Sequence, residues 1–233
     1  MKKIILFILF LQTVICYSQF ESGKITYGIN PIQFKPLKSI DKESDEIVEN
    51  IKLYAQKQIF ILSFKKDFSI FKMSESLTTD NSDTDNFYNN LASLRFTSDF
   101  NYFFDSNSKI GIIQKNDGTL INDSKTDKKW EISNESKMIE NYLCYKAVYT
   151  KTYIARNGIE KSIPITAWFA PSLPFNFGPK GYNGLPGLIL ELQELETIFI
   201  CQKIELSSEV TNLNFPKGEV LNEEDYEKKV KQK

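Results

Sequence analysis

Apolar and polar residues along this chain alternate in short runs rather than in helical stripes. Such runs occupy residues 23–29, 59–64, 67–73, 101–104, 109–114, 128–133, 143–153, 166–170, 188–193 and 198–206. They are rich in β-branched and aromatic residues and are separated by turn formers, the pattern of strands with one face on a core. The dipeptide Asn157-Gly158 predicts a hairpin that returns strand 144–153 into residues 161–169. A 3.6-residue period is confined to two places. Residues 41–58 carry Ile47, Ile51 and Tyr54 on a single stripe, and residues 223–231 form a short, mostly polar second helix. The polar run 78–86 reads as an exposed loop. The fold class expected is mainly β: a single antiparallel, strongly curved sheet, bowl or half-barrel, with one amphipathic helix packed on its concave side and a short C-terminal helix.

The most specific stretch is Gly184-Leu185-Pro186-Gly187-Leu188-Ile189-Leu190, which holds no side chain capable of chemistry. Pro186 and Gly187 suit the central positions of a type II turn, because proline presets a negative φ and glycine accepts the positive φ that follows. Beyond the turn, Leu188, Leu190 and Leu192 would share one strand face. The passage 171–187 leading into it is long for a connection between strands, with Phe175, Phe177 and Tyr182 available to anchor it, and reads as a rigid surface corner. Further upstream stand Cys144-Tyr145-Lys146-Ala147, Trp168-Phe169 and Gly178-Pro179, and downstream Glu223-Glu224-Asp225-Tyr226. With these motifs the chain resembles the GLPGLI family, exported bacterial proteins of undefined biochemical activity. The resemblance runs from about Gly23 to the end and is dense between Tyr142 and Leu192. It implies export and names no reaction.

The N-terminus has the layout of a secretory signal peptide: Lys2 and Lys3, the apolar residues 4–11, and a small-residue exit at Cys16-Tyr17-Ser18. The expected organisation is a signal peptide over residues 1–18 and a single β-rich domain over residues 19–233. Ile15 before Cys16 is too large for a lipidation site. The expected location is periplasmic, outer-membrane-associated or secreted, with no transmembrane segment in the mature chain, since the apolar stretch falls short of the ~20 residues that span a bilayer. Processing removes two lysines and no acids, so the net charge goes from −1 to −3. Without a basic excess nucleic acid is not an expected partner. Cys144 and Cys201 survive processing. A disulfide between them, worth about 4 kcal/mol by chain entropy, and two buried thiols on neighbouring strands are equal readings.

The chain contains no histidine. That removes Ser-His-Asp and Cys-His nucleophilic systems, HExxH zinc sites and histidine proton shuttles. No glycine-rich phosphate cradle is present, so no cofactor, no metal site and no catalytic residue is assigned. Asp80, Asp83 and Asp85 lack the glycine and distal glutamate of a calcium loop. Among the thirty acidic residues, Asp99, Asp105, Glu131, Glu140, Glu191 and Glu194 fall near strands or strand ends, and no spacing singles out a pair. Most of the aromatic residues should be core. Tyr145, Tyr149 and Tyr153 share a strand face and, with Trp168, either pack under a helix or line an apolar groove.

Two functions follow. One is a non-catalytic cell-envelope protein that binds an apolar or extended ligand, or docks on an outer-membrane or envelope transport partner. The alternative is a secreted hydrolase of glycan or peptide built on a carboxylate pair.

Overall fold

The computed structural model describes residues 20–32, 42–74, 82–123, 127–155, 158–209 and 212–231. The signal-peptide segment with Cys16, Asp80 of the calcium loop and Asn157 of the hairpin lie outside the described residues. Among the described residues, twelve strands form a single sheet. They are β1 (Ser22–Pro31), β2 (Phe60–Lys65), β3 (Phe68–Met73), β4 (Asn101–Asp105), β5 (Ile110–Gln114), β6 (Leu120–Asp123), β7 (Glu131–Ile139), β8 (Tyr142–Ile154), β9 (Glu160–Ala170), β10 (Leu188–Glu194), β11 (Thr197–Ser207) and β12 (Val220–Leu221). Their spatial order is β12-β6-β5-β4-β3-β2-β1-β11-β10-β9-β8-β7, an open sheet with edges at β12 and β7.

All ten runs of alternation overlap strands, although the run 128–133 supplies only the start of β7 and has no fully buried residue; in the middle of the sheet Ile25 and Tyr27 of β1 lie level with Leu62 and Phe60 of β2 on one buried face. Two strands escaped the pattern, β6 with four residues and β12 with two. β12 pairs parallel to β6, so the sheet is mixed rather than a simple antiparallel bowl.

Three α-helices among the described residues accompany the sheet: α1 (Lys42–Lys57), α2 (Asp83–Arg95) and α3 (Glu223–Lys231). α2 overturns the loop expected for its residues. It starts at a capping box, in which the Ser82 hydroxyl accepts from the Asp85 amide and the Asp85 carboxylate accepts from the Ser82 amide. Asp83 and Asp85 therefore serve a helix start, where negative charge faces the positive end of the dipole. α1 packs on α2 as well as on β1. Tyr54 stacks on Tyr88 at 5.3 Å and donates to Asp85. The Gln58 amide donates to Ser93 Oγ at 3.0 Å while its oxygen accepts from Thr97 at 2.7 Å. Of the expected stripe, Ile51 and Tyr54 pack and Ile47 is exposed.

The main core lies on one face of the sheet, hereafter the inner face, around the fully buried Tyr27, Phe60, Phe64, Phe71, Phe177 and Phe199. Phe60, Phe71 and Phe199 form one aromatic group with centroids 5.4–5.8 Å apart. A smaller cluster of Phe68, Phe103, Ile112 and Leu120 occupies the outer face of β3–β6, covered by Leu213 and Phe215.

Candidate functional site

The site is built around the corner that the motif predicts; Gly184 and Pro186 of the corner are exposed, while the passage leading into it is anchored in the core. Leu173, Phe175, Phe177, Tyr182 and Leu185 of the passage 171–187 are all buried. Phe175 meets Phe64 of β2 at 4.7 Å, and Phe177 meets Phe104 of β4 at 6.2 Å. The passage thus fills the inner side of the sheet, the place expected for the helix. Its backbone supplies the pairing that lets it be buried: Leu188 N–H donates to Leu173 O, Ile189 N–H to Phe177 O, and Gly184 N–H to Asn176 O.

The turn differs in type from the expected one. Gly187 N–H donates to Leu185 O at 2.8 Å, a three-residue turn centred on Pro186. Gly187 lies so close to the end of β9 that an added Cβ would stand 2.2 Å from Ala170 O. Gly178 is equally confined, with Ile189 atoms 2.7–3.0 Å from where its Cβ would be. The strand that follows has a bulge between Ile189 and Glu191, so Leu188, Ile189 and Leu190 are all buried and the expected Leu188, Leu190 and Leu192 face is broken. The carbonyl of Ile189 at that bulge accepts a hydrogen bond from the buried Tyr27 hydroxyl at 2.5 Å. One function of the motif is therefore mechanical: it seats a buried plug and starts β10 in register.

Where the passage leaves the core it turns polar. Lys180 follows Pro179 in a left-handed conformation (φ 53°, ψ 33°), which directs its ammonium group to Glu194 at the end of β10. Glu194 is 7 % exposed. Its Oε1 accepts from Lys151 Nζ of β8 at 2.8 Å and from the Tyr182 hydroxyl at 2.9 Å, and its Oε2 accepts from Lys180. These residues line a cavity of about 160 Å³ together with Tyr102, Ile113, Asp123, Lys128 and Tyr149. In the sheet order β4 and β10 are separated by β3, β2, β1 and β11, yet Tyr102 of β4 and Glu194 of β10 line the same space. Lys128 Nζ donates to Gly181 O at 3.1 Å and Trp130 Nε1 to Asn183 O at 2.8 Å, which clamps the chain entering β7 to the corner. A second cavity, about 250 Å³, lies on the α2 side, lined among others by Arg95, Thr97, Ser98 and Glu196. Lys180 and Glu194 line both cavities.

Burial pushes the Glu194 carboxyl up, and Lys180 and Lys151 more than reverse this, leaving it at about 2. Burial holds Tyr102 at about 12, opposed by the Ser98 hydroxyl and reinforced by Glu194. Burial and then Glu194 raise Tyr182 far above the ordinary phenol range. Lys128 is lowered by burial, against the pull of Asp123. Glu194 is thus an ionised, ion-paired carboxylate, unable to act as a general acid near neutral pH.

The other sequence candidates do not converge. Glu191 pairs with Lys137 at 2.7 Å beside Trp168, Asp99 accepts from Asn116, and Asp105 accepts from the turn amides of Asn107 and Ser108. Glu131 and Glu140 are exposed. Asp123, which shares the cavity with Glu194, was missed because its strand is too short to show alternation. The four groove candidates also separate. Tyr145 packs near Phe169, Tyr149 lines the smaller cavity, and Tyr153 is exposed. Trp168 pairs with Lys146 and Glu191, one residue out of step with the Tyr145–Phe169 pair, and so faces the other side of the sheet. Among the described residues no group of three or more His, Cys, Asp or Glu can hold a metal ion, and no helix is long and apolar enough to cross a membrane.

Cys144 and Cys201 are buried and unbridged. Their strands β8 and β11 are not neighbours, since β9 and β10 lie between them. Burial pushes Cys144 up to about 11 and Cys201 up to about 12, the latter also through Glu140. In the folded chain both are expected to resist iodoacetamide at pH 8, and after unfolding without reductant both should be alkylated, as read by peptide mass spectrometry. Rapid labelling of the native chain, or none after unfolding, would contradict this assignment.

Comparison with known proteins covers the corner and the fold separately. A family model described as "Protein of unknown function (Porph_ging)" matches residues 155–191, the segment that contains β9, the buried passage and the start of β10. No curated protein matches the chain in sequence. Two solved structures of PNGF-II, in the P21 and C2 space groups, share the fold with TM-scores of 0.51 and 0.52 at 12% identity. They match 89% and 91% of this chain and 32% and 33% of their own, so the chain spans about a third of the length of PNGF-II.

Proposed function

We propose that this chain is an exported, non-catalytic cell-envelope protein of the GLPGLI type, whose single β domain binds a ligand in the cavity at the inner face of a strongly curved sheet. The observation that supports binding over turnover is the state of Glu194. Hydrolysis by paired carboxylates needs one acid that keeps its proton and one free carboxylate. Two lysines hold Glu194 ionised and a phenol caps it. The cavity is small, about 160 Å³, and carries charged groups beside apolar ones, which favours a small ligand with a charged group. Docking on an envelope partner is compatible with this reading and involves a different surface.

The hydrolase alternative retains one supporting observation: Asp123 and Glu194 share the cavity. Native mass spectrometry of the purified chain, followed by incubation with glycopeptides and peptides, separates the two. The expected result is a ligand carried unchanged and no cleavage. Cleavage that Asp123→Asn abolishes would establish the hydrolase instead. Cell fractionation checks export, and recovery of the intact chain in the cytoplasm would refute it.

A further inference from the structure

We infer that the cavity between Tyr102 and Glu194 takes a compact oxyanion, a carboxylate or phosphate group on a small molecule, with Lys128 and Lys151 as its anchors. The inference rests on the binding reading above and supplies its ligand chemistry. Three lysines and two acids line the space, a net formal charge of +1 in a chain whose overall charge is −1. Ammonium groups only donate hydrogen bonds, so the wall is rich in donors. Both oxygens of Glu194 are already engaged by Lys151, Tyr182 and Lys180, which leaves that carboxylate little capacity to receive a cationic or neutral donor.

Access and size agree with this chemistry. The Lys151 side chain is 38% exposed while Lys180 is 18% exposed, so an anion arriving from solvent reaches Lys151 first. About 160 Å³ gives room for a small molecule. Ile113 and the rings of Tyr102 and Tyr149 offer an apolar wall for a short carbon skeleton. Burial disfavours the charge of Lys128 more than Asp123 restores it, and a bound anion would add to the compensation that Asp123 provides. Affinity should therefore fall as pH rises through the lowered pKa of Lys128, with Asp123, Lys151, Tyr182 and Glu194 facing it across the cavity.

The test is calorimetric titration of the full chain with inorganic phosphate, with succinate and with methyl glucoside, alongside amide and indole NMR shifts. Saturable binding of phosphate or succinate is expected, weakened at least tenfold in Lys128→Met and weakened by 0.5 M NaCl, with shifts at Trp130, Gly181 and Asn183. Binding of phosphate alone or succinate alone identifies the anionic group. Failure of both anions to saturate, preference for the glucoside, shifts elsewhere on the fold, or unchanged affinity in a folded Lys128→Met would overturn the inference. If that variant does not fold, the wild-type shift map decides. A retained neutral or cationic compound in native mass spectra removes the anion assignment and leaves the binding reading standing, whereas turnover removes the binding reading itself.

Discussion

Glu194→Gln is expected to destabilise the fold by about 3 kcal/mol at pH 7, and the loss should disappear in acid. The glutamine keeps the shape and can still accept from Tyr182, but it leaves Lys151 and Lys180 without their counter-charge in a site where Glu194 is 7 % exposed. Breaking a buried ion pair by removing one partner typically costs about 3–5 kcal/mol, and the partial exposure of Lys151 argues for the low end. The pH dependence gives a second route to the magnitude. Glu194 titrates at about 2 in the folded chain against 4.5 for the ordinary side chain, and at ~1.36 kcal/mol per unit the difference again corresponds to about 3 kcal/mol. The folded pKa is depressed, so the stabilisation is complete above the unfolded value and is lost as pH falls from about 4.5 toward 2. Urea unfolding of both proteins between pH 7 and pH 2 should show two curves that converge in acid. A gap independent of pH would mean that the ion pairs do not stabilise the fold.

Gly187→Ala is the second large effect, and Gly184→Ala is its internal control. Both glycines belong to the motif, and both would be called turn glycines from sequence. An added Cβ at Gly187 meets Ala170 O at 2.2 Å, Ala170 C at 2.6 Å and Pro171 N at 2.9 Å, all of them backbone atoms that cannot rotate away. Relief requires β10 to move away from the end of β9 and the plug that Leu188 and Ile189 tether, which should cost about 3 kcal/mol or more. Gly184 has φ +90° but nothing within 4 Å of its missing Cβ, so alanine there meets only the conformational penalty, about 1 kcal/mol. Calorimetric melting should give a small shift for Gly184→Ala and a large one, or no folded protein, for Gly187→Ala. Equal shifts would mean that turn conformation rather than close approach dictates the glycine.

The match to PNGF-II at 12% identity supports a shared fold and leaves the two cavities to be judged on their own residues. The outcome of the two mutations bears on different parts of that fold. Gly187 tests how the plug is seated, and Glu194 tests the polar centre that the plug carries into the sheet through Lys180 and Tyr182.

Strand existence was legible because alternation is a local consequence of burying one face. It is strongest where the partner strands are long, as in the β1 and β11 pairing. β6 and β12 were illegible for the same reason, since four and two residues are too few to display a period. The start of α2 could have been read from Ser82 and Asp85 three residues apart, but Asn and Asp around it carry equal weight as loop formers.

Residue order and composition are enough to read a β-rich chain with a glycine-proline corner and without histidine chemistry. Those properties depend on neighbouring residues and on composition. It takes the folded arrangement to show that the passage leading into the corner is anchored in the core, that Cys144 and Cys201 sit on separated strands, and that Tyr102, Asp123, Lys128, Lys151, Lys180 and Glu194 surround one cavity. The physical reason is distance along the chain. Tyr102 of β4 and Glu194 of β10, far apart in sequence and in sheet order, line one cavity beside the buried passage, and no local pattern encodes which side chains face each other there.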